Sequence, residues 1–242
     1  MKRTFCILAS WMIVLVFACG SFAVEQKRVV LTFDDSCKSH LTVVAPLLQK
    51  HGFNATFCIT EGFSFAKRKD FYLTWEDIKK LHYQGFEIGN HTKSHHDMRR
   101  LSEEVVRSEI EHIQQQCERH GISKPTTFAY PGYHTSETVL KVLKEKGFKF
   151  ARTGGAKASR PGQDDPLLLP DSLCPTPKTT FDQLKKTADQ ADDSHIPIFT
   201  FHGVPDAEHG WVGTNPELFE KFIKYLEDNG FKAIALRDYP AK

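Results

Sequence analysis

Apolar residues recur along this chain in two alternating rhythms, short continuous runs of β-prone residues and longer stretches with helical spacing. Four helical-looking stretches end in glycine followed by phenylalanine: Gly52-Phe53, Gly85-Phe86, Gly147-Phe148 and Gly230-Phe231. Glycine accepts the left-handed conformation that closes a helix, and the phenylalanine opens the next apolar run. Strands are predicted near 29–33, 55–60, 86–90, 126–130, 148–152, 197–202 and 231–236, seven β units in all. The clearest helix is 217–229. Asn215 can cap it, Pro216 suits its first turn, and Leu218, Phe219, Phe222, Ile223 and Leu226 form one apolar face. After Leu101, Ser102 is a cap, Glu103 and Glu104 suit a positive helix start, and Val105, Val106, Ile110, Ile113 and Cys117 recur at helical spacing.

Strand and helix alternating in this way imply an α/β domain with a parallel sheet, either closed into a barrel or open and doubly wound. Neither Gly-rich phosphate-binding signature occurs, which removes support for a nucleotide site and favours the barrel. Segment 153–180 breaks the pattern with five prolines and no period. Its length suits a lid, a binding loop or a passive surface excursion.

The amino terminus has another character. Lys2 and Arg3 precede an apolar run over 5–18 and then small residues, the order of a secretory signal, with cleavage expected after Ala23. Fourteen helical residues reach about 21 Å, short of a bilayer core of about 30 Å, so no transmembrane helix is expected in the mature form. The expected division is a signal peptide over 1–23 and one catalytic domain over 24–242, secreted or periplasmic. Cys19 offers a lipid-anchored alternative, although bulky Phe17 fits that processing site poorly. Two of the 32 basic residues, Lys2 and Arg3, leave with the signal, so 30 remain against 30 acidic ones. A neutral chain argues against a nucleic-acid partner. Cys37, Cys58, Cys117 and Cys174 would remain; disulfides are allowed but not required, and no Cys-x-x-Cys unit supports a zinc ribbon.

Chemistry collects just after the predicted strands, the end at which parallel barrels form active sites. Asp34 and Asp35 follow the first strand, His91 and His95 the third, Tyr130-Pro131-Gly132-Tyr133 the fourth and His202 the sixth. Asp35, His91 and His95 offer one carboxylate and two imidazoles, a set suited to zinc or a similar divalent ion with positions left for water. Their spacing of four would align the two rings on a helical turn. Adjacent aspartates repel and are costly to desolvate unless a cation or hydrogen-bond donors compensate.

These residues resemble the metal-dependent polysaccharide deacetylases of carbohydrate esterase family four, the nodulation-factor deacetylase homology domain. Leu31-Thr32-Phe33-Asp34-Asp35-Ser36 resembles the family's Thr-Phe-Asp-Asp-Gly, and the segment from Glu87 to His95 resembles its His-Ser/Thr-x-x-His. Phe128-Ala129-Tyr130-Pro131-Gly132-Tyr133 is similar to a degraded third motif, and the segment from Ile198 to His202 to the last. The resemblance implies a distorted (β/α) barrel of about seven parallel strands. It implies Asp34 as general base, Asp35, His91 and His95 as ligands of a divalent metal (Zn2+ first, with Co2+, Ni2+ or Mn2+ as alternatives), the Gly132 backbone N–H at the oxyanion, and His202 as proton donor. The implied reaction removes N-acetyl groups from N-acetylglucosamine-containing glycans such as peptidoglycan or chitin, releasing acetate. An O-acetyl polysaccharide esterase with the same metal site and a catalytically impaired carbohydrate-binding barrel are the alternatives.

The sequence departs from the family pattern at several points. Ser36 replaces the usual glycine, Thr200 is more polar than the residue expected there, and His96 stands where proline is common and is read as solvated. Ala129 takes the place of an arginine that pairs with the catalytic aspartate; Arg152, in Ala151-Arg152-Thr153, is expected to supply that cation from the fifth strand. His209 and Trp211 are candidates for lining a sugar cleft together with Tyr130 and Tyr133, because aromatic faces pack against pyranose rings. Trp75 is expected to pack at the base of its helix.

Overall fold

The computed structural model describes residues 27–240; the expected signal peptide over 1–23 and Cys19 lie outside them. The strands are β1 (Arg28–Phe33), β2 (Thr56–Ile59), β3 (Glu87–Asn90), β4 (Thr127–Ala129), β5 (Phe150–Thr153), β6 (Leu169–Pro170), β7 (Ile198–Phe201) and β8 (Lys232–Ile234). The helices are α1 (Ala45–Lys50), α2 (Trp75–Tyr83), α3 (Glu103–Arg119), α4 (Glu137–Glu145), α5 (Phe181–Ala188) and α6 (Pro216–Asp228). All seven expected strands are present, and both expected helix caps are made: Ser102 accepts from Val105 N–H, and Asn215 from Leu218 N–H.

All strand pairings are parallel, in the order β6-β5-β4-β3-β2-β1-β7, with β8 joined to the first residues of β1. The sheet curls until its edges meet. Ser172 N–H donates to Ile198 O at 2.7 Å and Thr200 N–H to Leu173 O at 3.0 Å, so the chain just after β6 adds itself to β7. This corrects the reading of 153–180 as a lid or free loop, because part of that segment is barrel wall. Two- and three-residue strands flanked by proline present too little pattern to be recognised from sequence.

Side chains of β1 show how the curl sorts residues. Val29, Leu31 and Phe33 pack outward in a core shared with Leu48 of α1, Ile78 of α2 and Phe219 and Phe222 of α6. Val30 points the other way and joins Phe150, Ile198 and Ile234 inside the barrel. Strand alternation therefore sends Asp34, two residues beyond Thr32, over the barrel interior at the carboxyl end of the strands. All four described cysteines are free thiols, and burial pushes those of Cys37, Cys58 and Cys117 up. Among the described residues no helix is long and apolar enough to cross a membrane.

Candidate active site

Asp34 and Asp35 leave β1 through a tight turn in which Asp35 and Ser36 have φ of 69° and 56°. That left-handed pair explains why glycine would be favoured at 36. Ser36 is held there instead by two bonds: its hydroxyl donates to Thr60 O at 2.8 Å and accepts from Thr60 N–H at 3.0 Å. Asp34 alone meets the guanidinium of Arg152, whereas His91 stands within 4 Å of both carboxylates, 3.7 Å from Asp34 Oδ2 and 3.5 Å from Asp35 Oδ1.

Asp35 faces imidazoles. His91 Nε2 and His95 Nε2 each stand 3.5 Å from its Oδ1, and His202 Nε2 stands 3.7 Å from its Oδ2. One ligand atom from each of Asp35, His91 and His95 can be chosen so that all lie within 4.8 Å of one another. Oδ1 is buried and has no hydrogen-bond partner. His91 Nδ1 bonds to Ala129 O at 2.8 Å, which assigns the ring proton to that nitrogen and leaves Nε2 as a lone-pair donor facing Asp35. The donor set, the orphaned oxygen and this tautomer fit a divalent cation. Burial by itself would raise the Asp35 carboxyl, but the surrounding imidazoles of His91, His202 and His95 hold it well below the usual range. Burial and the neighbouring His91 push His95 down to about 4, so its ring is neutral and free to ligate near pH 7.

His91 and His95 do not share a helical turn, as their spacing suggested. They lie on a loop after β3 in which Thr92 and His95 have φ of 64° and 55°. Asn90 Oδ1 accepts from Thr92 N–H at 2.9 Å, Thr92 Oγ1 from His95 N–H at 3.1 Å, and Glu109 of α3 accepts from Ser94 N–H at 2.7 Å. These polar clamps bring the two rings to 4.7 Å without a helix. His96 is exposed, as expected.

Asp34 faces the guanidinium of Arg152, with Nη2 2.5 Å from Oδ2 and both side chains buried. Burial would raise the Asp34 carboxyl; Arg152 first, then His91 and His202, overrides it and keeps the group charged. Arg152 is the residue directly opposite Ala129 in the β4–β5 register. His202 leaves β7 on the far side of Asp35. Its Nδ1 is 3.8 Å from Cys174 Sγ, and its carbonyl oxygen accepts from His40 Nε2 at 3.2 Å. Burial pushes His40 down to about 4, so this bond is made by a neutral ring.

Gly132 sits in an exposed 3-10 turn with φ 56°. The turn's bonds are donated by Tyr133 and His134. Tyr133 lies at the mouth, its ring 5.5 Å from the Arg152 guanidinium and its hydroxyl donating to Asp171 at 2.9 Å. Tyr130 does not line the cleft. It is 1% exposed, packs on Phe128 and donates to Leu167 O, because the fourth strand ends at Ala129 and turns the next side chain into the core. Trp75 opens α2, and its Nε1 donates to Glu61 at 2.7 Å. His209 and Trp211 form a pair with centroids 5.2 Å apart near the mouth. Three residues escaped the sequence reading: Cys174, His40 and Phe63. Phe63 alone carried a usable signal, since it follows β2 at the same barrel end as the other site residues.

Residues 23–151, just over half of the chain, match the family described as polysaccharide deacetylase. The chain belongs to that family. Over 126 residues it is 30% identical to the peptidoglycan-N-acetylglucosamine deacetylase of Bacillus cereus, covering 52% of this chain and 55% of that one. The chain spans about half the length of the curated relatives it matches. The fold is similar to that of a family 4 carbohydrate esterase from Streptomyces lividans solved with acetate, with TM-score 0.62, 18% identity, and coverage of 89% of this chain and 97% of that one. It is also similar to that of BA3943 of Bacillus anthracis, a family pseudoenzyme, with TM-score 0.61, 18% identity, and coverage of 89% and 66%. Polysaccharide deacetylases are thus the family, and the barrel is their fold.

Proposed function

We propose that this family member is a metal-dependent hydrolase that removes N-acetyl groups from N-acetylglucosamine-containing glycans, yielding acetate and a free amine. The observation that carries the reading is Asp35, one buried carboxylate with two imidazoles on one oxygen and a third on the other. Asp35, His91 and His95 would hold a divalent cation, with zinc the best match to one carboxylate and two histidines. When bound, it supplies Lewis-acid polarisation of the acetyl carbonyl and a lowered pKa for water.

The protein's own groups divide the remaining work. Asp34, kept anionic and oriented by Arg152, takes a proton from the attacking water as the new C–O bond forms. The exposed Gly132 N–H is a donor for the acyl oxygen as negative charge develops on it. His202, on the other side of Asp35, gives its proton to the sugar nitrogen as the C–N bond breaks, which prevents return to substrate. One water and one amide become acetic acid and amine: the proton that Asp34 took from water restores His202, the other water proton stays on the acid, and the acid ionises to acetate in solution.

The test is acetate release by the mature chain from N-acetylated chitooligosaccharide, peptidoglycan fragments and acetylated xylan, with and without a chelator. Chelator-sensitive release from the amide substrates supports the proposal. Release from acetylated xylan alone would reassign the chain as an O-acetyl esterase, and silence on all three with metal bound would leave a binding barrel.

A further inference from the structure

Arg152 is held in the site by few polar contacts. Its guanidinium is buried and makes one hydrogen bond, from Nη2 to Asp34, while Nε and Nη1 have no partner among the described residues. One bond fixes a distance but not the plane of the group, and unpaired donors away from water are costly. What lies against the guanidinium is an aromatic face: its central carbon is 5.5 Å from the centroid of the Tyr133 ring. Such a face attracts a cation without offering an acceptor, and does so more strongly where water is excluded.

Tyr133 is itself clamped by three strand ends. It follows β4 and has φ 63°, a conformation costly for a residue with a β-carbon, so its surroundings must impose it. Thr153, at the end of β5, donates from Oγ1 to Tyr133 O at 3.0 Å and accepts on its own carbonyl from Asp171 N–H at 2.9 Å. Asp171, just after β6, is 4% exposed and accepts from the Tyr133 hydroxyl at 2.9 Å. A β-carbon at Gly154 would stand 3.0 Å from Tyr133 Cγ, so glycine there leaves room for the ring. Burial pushes the hydroxyl far above its usual range, which keeps it protonated and able to donate. The Cys174 thiol also lies beside that hydroxyl, and it stands 3.8 Å from His202 Nδ1.

We propose that Tyr133 is a positioning residue for the base: Asp171 pins its hydroxyl, and its ring holds the Arg152 guanidinium in line with Asp34. This rests on the deacetylase reading of the same site and adds how the base is held. The pin fixes the ring, the ring fixes the plane of the cation, and the cation fixes the carboxylate. Oδ2 of Asp34 carries the ion pair, which leaves Oδ1 for the proton of the attacking water.

The experiment has a kinetic arm and a spectroscopic one. Values of kcat and KM are measured for an N-acetylated chitooligosaccharide and for 4-nitrophenyl acetate, whose phenolate leaves without needing a proton. Tyr133→Leu removes the ring and is expected to lower kcat about thirty-fold on both substrates with KM within about two-fold; Tyr133→Phe keeps the ring, loses the pin and is expected to lower kcat about five-fold. Asp171→Asn still accepts the hydroxyl and should match wild type, whereas Asp171→Ala should match Tyr133→Phe. Tyr225→Phe breaks a tyrosine–aspartate bond at the outer helices, to Asp189 at the end of α5, and is expected to change neither arm. In parallel, proton exchange at Arg152 Nε–H is followed by NMR, the signal being assigned by its loss in Arg152→Lys. It is expected to quicken about ten-fold or more in Tyr133→Leu. A fall in kcat confined to the amide substrate would show that Tyr133 acts through Cys174 and His202, and a rise in KM alone that it binds sugar. Either result overturns the proposal, as does unchanged exchange at Arg152. If wild-type protein releases no acetate from either substrate, the deacetylase reading fails, and the exchange rates still decide the clamp.

Discussion

Ala129 and Arg152 face each other in register across β4 and β5, and the guanidinium of Arg152 reaches Asp34. Partners on neighbouring parallel strands point to the same side of the sheet about 4.8 Å apart. The cation that the family resemblance places at 129 is thus supplied from one strand away. Losing one partner of a buried ion pair costs roughly 3–5 kcal/mol, here divided between stability and the orientation of Asp34. Arg152→Ala is expected to lower kcat by about a hundred-fold or more and to lower Tm; Ala129→Arg in that background is expected to restore part of both. Unchanged turnover in folded Arg152→Ala would remove Arg152 from the mechanism.

If Asp35 and the two histidines hold a cation as proposed, it is a structural element as well as a reagent. Added zinc is expected to raise Tm of the wild-type apoprotein by binding only the folded state, and chelation to reverse it. His95→Ala should bind less metal by elemental analysis and show a smaller Tm response, a readout independent of turnover. An equal zinc response in His95→Ala would disprove the ligand assignment.

Asp77 gives stability a pH dependence of its own. It closes a capping box with Thr74 at the start of α2 and accepts from Lys38 at 2.6 Å. Burial works against its charge, but the bonds from Lys38 and Thr74 win and lower the group from 3.8 to about 2. Because the folded pKa is depressed, the contribution is complete above about 4 and fades as pH falls toward 2. Asp77→Ala is expected to cost about 1 kcal/mol at pH 7 in urea unfolding, with the gap to wild type closing through that acid window.

Ser36 separates backbone strain from hydrogen bonding. Ser36→Ala keeps the left-handed residue and leaves Thr60 N–H and O unpaired, so about 1–3 kcal/mol should be lost. Ser36→Gly loses the same bonds but relieves the conformation, and should lie closer to wild type by about 1 kcal/mol. Equal destabilisation of the two variants in thermal melts would show that the turn stores no strain at this position.

Much of this fold can be read in the chain because local signals agree with tertiary ones. Each Gly-Phe junction ends a helix and opens an apolar run, and a strand begins within three residues of each of those phenylalanines. The convergence of Asp35, His91 and His95 was legible for a related reason, since these residues follow strands and parallel barrels gather strand ends. What failed depended on contacts with no local period. The loop of His91 and His95 is shaped by Asn90 and by Glu109, which acts across eighteen residues of sequence from the first histidine. Tyr130 looked like mouth and became core because β4 stops one residue earlier than its apolar run. Phe63 was passed over although its place after β2 puts it at the barrel end that carries the site.

The bonds from Ser172 and Leu173 to β7 join the two ends of the sheet one residue before Cys174, which touches His202. His202, the proposed proton donor, therefore stands beside the last stitch of the cylinder. Loosening that stitch, by a cut in the proline-rich stretch or by a substitution at Leu173, would disturb the donor before it reached Asp35 or the histidines. Under the proposed reaction, such a molecule would keep the residues that hold the cation while losing the step that releases the amine.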